Sequence, residues 1–305
     1  MSGSMACFTL NDACVKLAAQ SIPLFQTVFL RGIVTTVLML LVVRAMGRLD
    51  FSIPRADRPR VFWRTASELG AMVAFTIALV NMPIANISAI LAALPLTVTL
   101  AAFLFLREPV GWRRMLAILV GFVGVILIIQ PGTEGFSYYS LVAFLAVILV
   151  TVRDLVTRRF SKEVPSMSVA VITAAAVGIL AGLLSTRETW AMPDTQSILL
   201  ILGAAVFIIG GYVFSIMTMR IGEIGVIAPF RYTSLIWALM LGYVVFGDWP
   251  NSLTLLGGAI VVATGLFTIL RERRVARRLA RNPASPTATA AVSALTAGAR
   301  DPNGG

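Results

Sequence analysis

From Ala78 to Ile129 the chain runs as two long apolar stretches, ALVNMPIANISAILAALPLTVTLAAFLFL and MLAILVGFVGVILII, parted by the charged turn REPVGWRR. Each stretch, at roughly 18 to 24 residues and about 1.5 Å of helical rise per residue, is long enough to cross about 30 Å of hydrocarbon. The pattern predicts a membrane-spanning helical hairpin. A similar passage recurs from Thr218 to Leu270, with GDWPNS as its turn, and Glu108 and Asp248 in the two turns stand 140 positions apart. The chain therefore reads as a duplicated unit.

Composition agrees. Of 305 residues, 58% are hydrophobic and 13% charged, and the mean hydropathy is +0.90, far from the values of a soluble domain. The net charge of +11 raises the question of nucleic acid. Most basic residues, however, lie in loops and in the tail Arg271 to Arg281, beside apolar runs, where they act as topology signals and lipid headgroup contacts. Lipid is an expected partner and nucleic acid is not. Cys7 and Cys14 are seven residues apart in the first run, about 10 Å along a helix axis, too far to bond each other. There is no histidine, which removes the usual proton shuttle and the commonest metal ligand. No metal and no cofactor is expected. Met1 to Gln20 carries Asn11, Asp12 and Lys16 and has no basic lead-in, so it reads as a retained first span rather than a signal peptide. The run is short, as it would be if an upstream start were missing.

Ten spans are expected, at about 3–19, 24–46, 61–83, 84–106, 114–130, 138–157, 167–186, 197–219, 224–246 and 252–270, with prolines at or near the breaks. Only Asn81-Met82-Pro83 separates the third from the fourth. Arg48, Arg55, Arg58 and Arg60, then Arg107, Arg113 and Arg114, then Arg158, Arg159 and Lys162, then six arginines between Arg271 and Arg281 collect in alternate connections, while the others hold only Arg187. That asymmetry places both termini in the cytoplasm. The duplication shows again in Asp12-Ala-Cys-Val-Lys16 with Pro23 and Asp154-Leu-Val-Thr-Arg158 with Pro165, at an offset of 142. Five spans per copy is an odd number, so the second copy enters the membrane from the opposite side. The fold class is an all-α membrane protein of two inverted five-helix repeats, 1–137 and 138–275, an arrangement that gives transporters two related conformations. Residues 276–305, small, polar and rich in Pro and Gly after Arg281, are expected to be a disordered cytoplasmic tail.

These features resemble the drug/metabolite transporter superfamily, specifically ten-span proteins built from two EamA-type units. The residues that carry the likeness are Pro95 thirteen positions before Glu108, the F-L-R-E-P turn followed by Gly121 and Gly124, Phe29-Leu30-Arg31-Gly32, and Gly247-Asp248 with Gly257, Gly258 and Gly265. The resemblance covers roughly residues 5 to 275. Two departures stand out: Asp248 occupies a place where the family usually has Glu, and Pro229 lies nineteen residues before it. The resemblance implies a metabolite carrier of the bacterial inner membrane, an exporter or importer according to member. Amino-acid exporters, nucleotide-sugar carriers, S-adenosylmethionine carriers and riboflavin uptake proteins share the architecture, and Phe8-Thr9-Leu10-Asn11-Asp12 looks like the last two groups.

Ionisable groups at mid-membrane cost at least ~2.5–3.5 kcal/mol each, so they normally face a partner or a wet cavity. Asp12 and Arg31 fall at one depth, about 12 Å from the external ends of their spans, and Glu68 and Arg231 are matched near the cytoplasmic side. Two opposed carboxylate–arginine pairs are predicted, one near each mouth, as gates or as static struts. Arg64, one turn before Glu68, and Lys16, one turn after Asp12, are local competitors. Arg153 and Asp154 close the sixth span, where snorkelling accounts for them. Asn11, Tyr212, Tyr232, Ser234 and Trp237 complete the candidate substrate-binding or gating set, and their aromatic content favours a planar or aromatic solute. Gly178 and Gly182, with the glycines of the tenth span, point to close helix packing, with a homodimer seam as a further reading. Glu108 and Asp248 are expected to act as caps at the N-terminal ends of the following helices rather than as proton carriers.

Without HExxH, GxSxG, a P-loop or an aspartate-rich prenyl-diphosphate motif, an enzyme is not expected. A secondary carrier for a small organic metabolite leads, with riboflavin-like solutes first, S-adenosylmethionine second and amino acids third. A non-transporting assembly or sensor protein is the competing class, and it would need no matched charges inside the membrane.

Overall fold

A computed structural model of the chain describes residues 1–45, 53–108, 110–132, 136–161, 163–221 and 228–281, and every regular element among them is helical. In chain order these are α1 (Ser2–Ala18), α2 (Leu24–Ala45), α3 (Arg58–Asn81), α4 (Ile84–Leu91), α5 (Leu94–Leu106), α6 (Trp112–Ile129), α7 (Tyr138–Arg158), α8 (Ser166–Ser185), α9 (Thr195–Ile221), α10 (Thr233–Phe246) and α11 (Ser252–Arg281). Two short 3₁₀ turns, Arg55–Asp57 and Ala228–Tyr232, precede α3 and α10. Arg48 and Lys162 of the expected topology signal lie outside the described residues, as does the tail from residue 282. Residues 276–281 of that tail are helical, because α11 continues to Arg281. Its last turns are rich in Arg, Ala and Leu, good helix formers, and arginines near a helix C-terminus suit the helix dipole.

Among the described residues, eight helices are long and apolar enough to cross a membrane, counting Ile84–Leu106 as one. The two outside that set, against an expectation of ten, are α1, with 17 residues, and α3, which carries Arg64 and Glu68. Both are flanked by other helices: Ala13, Val15 and Ala18 of α1 and Ala71, Ala74 and Ala78 of α3 are buried. A helix shielded by protein does not need the uniform apolarity that lipid demands.

The fourth span breaks in its middle, at Ala92 and Ala93. Pro95 has no N–H to give, and its ring collides with the carbonyl four residues back, at Leu91. The turn is carried instead by Ala93 donating to the Ile90 carbonyl at 3.1 Å. In the second copy Pro229 falls in the 3₁₀ turn ahead of α10, so the irregularity comes before the helix rather than inside it.

The copies pack in a reciprocal pattern. If α1, α2, α3, α4–α5 and α6 form one unit and α7, α8, α9, α10 and α11 the other, the first helix of each lies against the third of its counterpart, α1 on α9 and α7 on α3. The second lies against the second, α2 on α8, and the fifth against the fifth, α6 on α11. At the last seam glycine meets glycine: a Cβ on Gly257 would stand 2.5 Å from the Gly124 carbonyl oxygen, and one on Gly124 would stand 2.8 Å from that of Gly257. Only glycine lets the two backbones come this close. Gly178 and Gly182 are likewise used inside the chain, against Gly32 and the Phe29 ring of α2, so this motif is occupied by α2 and is not a free dimer seam.

Candidate functional site

Polar side chains converge where the two units meet, in two clusters. The first joins α1 to α2. Asn11, 4% exposed, accepts from Arg31 Nη1 through its Oδ1 at 3.1 Å, and its own Nδ2 donates to Asp12 Oδ1 at 2.9 Å. Arg31 and Asp12 are thus connected through an amide rather than in direct contact. An amide suits the middle position because it offers an acceptor to the cation and a donor to the anion. The Arg31 Nε is buried without a hydrogen-bond partner.

The second cluster joins α7 to α3 and α8. Arg153 lies 2.8 Å from Glu68 and 2.8 Å from Asp154, a guanidinium held between two carboxylates, with side-chain exposures of 24%, 23% and 33% respectively. Beside it Arg64 donates through Nη1 to Thr173 Oγ1 at 2.7 Å. Tyr212 of α9 lies within electrostatic reach of Arg31 and of Glu68, Arg64 and Arg153. It is nevertheless 44% exposed, and its ring meets Phe8 edge-on at 5.4 Å. Tyr212 is thus a neighbour of both clusters. The six ionisable groups of the clusters, Asp12, Glu68, Asp154, Arg31, Arg64 and Arg153, sum to zero charge.

Several expectations are corrected. Glu68 does not pair with Arg231. It pairs with Arg153, which α7 presents to α3 from inside the bundle, whereas Arg231 sits in the 3₁₀ turn before α10 with its side chain exposed. Arg153 and Asp154 do not snorkel outward, because Arg153 is turned inward as the cation of the cluster. Arg64 gives its hydrogen bond to Thr173 rather than to Glu68, and Lys16 gives its own to the Met82 carbonyl rather than to Asp12. Tyr232 is buried in the core, its hydroxyl packed against Gly265, and Ser234 and Trp237 are half-buried on α10. Among the described residues none of Arg231, Tyr232, Ser234 and Trp237 shares a hydrogen bond or ion pair with the clusters, so of the expected set Asn11, Asp12, Arg31, Glu68 and Tyr212 come together.

The expected caps differ too. Glu108 lies 3.6 Å from Arg158, both about half exposed, and α6 begins at Gly111 without a side-chain cap. The first turn of α11 is capped by Asn251, whose Oδ1 accepts from the Thr254 N–H at 2.8 Å.

The sequence reading missed Arg64, Arg153, Asp154 and Thr173 as site members. A signal was present: the offset of 142 that pairs Asp12 with Asp154 also pairs Asn11 with Arg153 and Arg31 with Thr173, so one copy's polar cluster marks the other's. A cavity of about 570 Å³ lies elsewhere, between α4, α10 and α11. Its walls are apolar apart from Tyr232, Thr233 and Thr254, and it holds none of the charged groups.

Comparison with known proteins agrees with this architecture. Residues 1–130 and again 137–271 match the EamA-like transporter family. The S-adenosylmethionine uptake transporter of Rickettsia conorii is 25% identical over 90% of the chain and 92% of its own length. The riboflavin transporter of Vibrio cholerae is 29% identical over 65% of the chain and 66% of its own length, and the pseudopaline exporter of Pseudomonas aeruginosa is 25% identical over 84% and 89%. A solved crystal structure superposes with a TM-score of 0.61 at 20% identity, covering 90% of this chain and 98% of that one, a likeness of fold.

Proposed function

The chain belongs to the EamA-like transporter family, and from that premise we propose a secondary carrier that moves a small zwitterionic metabolite of the S-adenosylmethionine kind across the bacterial inner membrane by alternating access. Ten spans, with α1 and α3 among them, form two five-helix units threaded in opposite directions, and both termini are cytoplasmic. The reciprocal packing of the units and the alternation of basic connections support this reading.

The observation that carries the substrate class is the pair of neutral, two-signed clusters, which line the substrate cleft in this reading. A solute with a carboxylate and an ammonium group can replace partners one for one: its carboxylate takes Arg31, whose buried Nε lacks a partner, or Arg64, and its cationic end takes Glu68 or Asp154. The carboxylate and ammonium then leave no unpaired charge of their own in either state, which keeps their desolvation cost low. The sulfonium, which brings S-adenosylmethionine to one net positive charge, takes the remaining acid of Glu68 and Asp154 and the faces of the Phe8–Tyr212 pair. Riboflavin is the second reading, supported by the Phe8–Tyr212 pair at the cleft wall and by the Vibrio cholerae relative. Because riboflavin carries no ammonium or carboxylate, the charge inventory ranks it second.

The test is uptake of labelled S-adenosylmethionine and labelled riboflavin in cells auxotrophic for each, with the parent and with Arg31→Gln and Glu68→Gln. S-adenosylmethionine should enter with the parent, and each substitution should reduce entry at least about tenfold, the loss expected from about 1.4 kcal/mol of binding energy. Movement of neither solute by an inserted parent protein, or transport indifferent to both substitutions, would refute the assignment.

A further inference from the structure

Lys16 lies in the last turn of α1, and its Nζ meets two separate segments. It donates to the Met82 carbonyl at 2.6 Å, lies 5.2 Å over the Phe246 ring and sits in the field of Asp248. The first contact belongs to the α3–α4 turn of its own unit; the other two belong to the end of α10 and the turn that follows it, in the opposite unit. Arg158 ends α7 and approaches Glu108 in the α5–α6 turn, again of the opposite unit. In sequence Lys16 and Arg158 are counterparts, each four residues after the paired acids Asp12 and Asp154, and Asp248 and Glu108 are counterparts in their turns. The cation of each copy therefore lies toward the acid of the other, Arg158 in contact with Glu108 and Lys16 in the field of Asp248, as a two-fold relation between the copies leads one to expect.

The two contacts differ in tightness. Lys16 is half-buried, with a short bond and an aromatic face. Arg158 and Glu108 stand 3.6 Å apart with 49% and 51% of their side chains exposed. An exposed pair of that kind contributes little to stability, so stability alone gives no reason for its recurrence in both copies. Resting on the carrier reading above, we infer that Lys16 against the end of α10 and its following turn, and Arg158 against Glu108, are a matched pair of latches at opposite mouths. In this structure Lys16 is held by the Met82 carbonyl and the Phe246 ring, and Arg158 stands 3.6 Å from Glu108 in an exposed pair. Transport alternates them. When Lys16 leaves the Met82 carbonyl and the Phe246 ring, the mouth beside it opens, and closure of the opposite mouth draws Arg158 onto Glu108. Because each latch joins both units, neither mouth can open without releasing one.

The experiment uses the full chain with Cys7→Ser and Cys14→Ser, and Tyr212→Cys as a reporter in the cleft. A membrane-impermeant maleimide is applied to whole cells and, separately, to inside-out vesicles. Lys16→Ala should raise labelling from the side of Lys16 severalfold and lower it from the other. Arg158→Ala should shift both in the opposite sense. The exchange Lys16→Asp with Asp248→Lys should restore the parental pattern that Lys16→Asp alone loses, which separates latch function from a general folding defect. Labelling that does not change, or that changes in the same direction in the Lys16→Ala and Arg158→Ala variants, overturns the inference. Uptake by the parent is measured alongside. Failure there counts against the substrate reading, while the labelling still decides the latches.

Discussion

Asn11-Asp12 on α1 and Arg153-Asp154 on α7 occupy the same position in the two copies, yet they solve the burial of an acid differently. In the first copy the neighbour is a neutral amide, and the cation comes from α2 as Arg31. In the second the neighbour is itself the cation, Thr173 stands where Arg31 would be, and Glu68 of α3 supplies a further acid. Each cluster is neutral, and the two differ in which helices they tie. Asn11 links helices within one unit, whereas Arg153 links α7 to α3 of the other unit. The comparison shows that duplication fixes the position of polar groups, while the local sequence decides whether they hold one half together or join the halves.

The largest effect should follow from Arg153→Gln, which removes the cation held between Glu68 and Asp154 and leaves only Arg64 beside two acids. Breaking a buried pair costs about 3–5 kcal/mol. Partial exposure of this one brings the expectation down to the order of 2 kcal/mol, read as a lowered thermal midpoint in detergent, and Arg153→Gln with Glu68→Gln should recover most of it. Arg31→Gln should cost less stability than Arg153→Gln, because its cluster stays within one unit, but should abolish most transport. Equal destabilisation by the two substitutions would remove the distinction between them.

A third prediction tests the reciprocity itself. Gly124→Ala and Gly257→Ala both push a methyl group into the opposing carbonyl, and each should destabilise by about 1–3 kcal/mol in the same thermal assay. Strongly unequal losses would show that the seam is not shared evenly.

The smallest effect concerns the α2–α3 connection, outside the membrane. Hydrogen bonding from Ser161, and then from Arg60, holds the Asp57 carboxyl below its ordinary range. A group whose folded-state pKa is lowered stabilises the fold above its unfolded value, near 3.9, and loses that contribution as pH falls through the folded value. Asp57→Asn should therefore lower the thermal midpoint slightly at pH 7, and the difference from the parent should vanish in the acid range.

How much of this was legible beforehand follows from what each signal measures. The apolar runs and the Asn81-Met82-Pro83 break are local, and α3 ends at Asn81 as that turn required. The depth of Glu68 could be read from its distance to a helix end, but its partner could not. Depth leaves the neighbouring helix undetermined, and Arg231 and Arg153 compete at similar levels until packing sets α7 against α3. The same gap hid the use of Gly178 and Gly182, since a small-residue motif says that something packs closely without saying what. Asn251 took the cap expected of Asp248 because capping needs the residue three positions before the bonded N–H, a spacing that Asn251 meets with Thr254.

The most direct measurement is counterflow in proteoliposomes loaded with unlabelled S-adenosylmethionine and diluted into the labelled compound. A carrier whose neutral cleft opens alternately to each side gives a transient internal accumulation of label in the parent, and none in Arg31→Gln or Glu68→Gln protein reconstituted to the same density. Accumulation of equal size in all three would contradict the account, as would its absence in the correctly inserted parent.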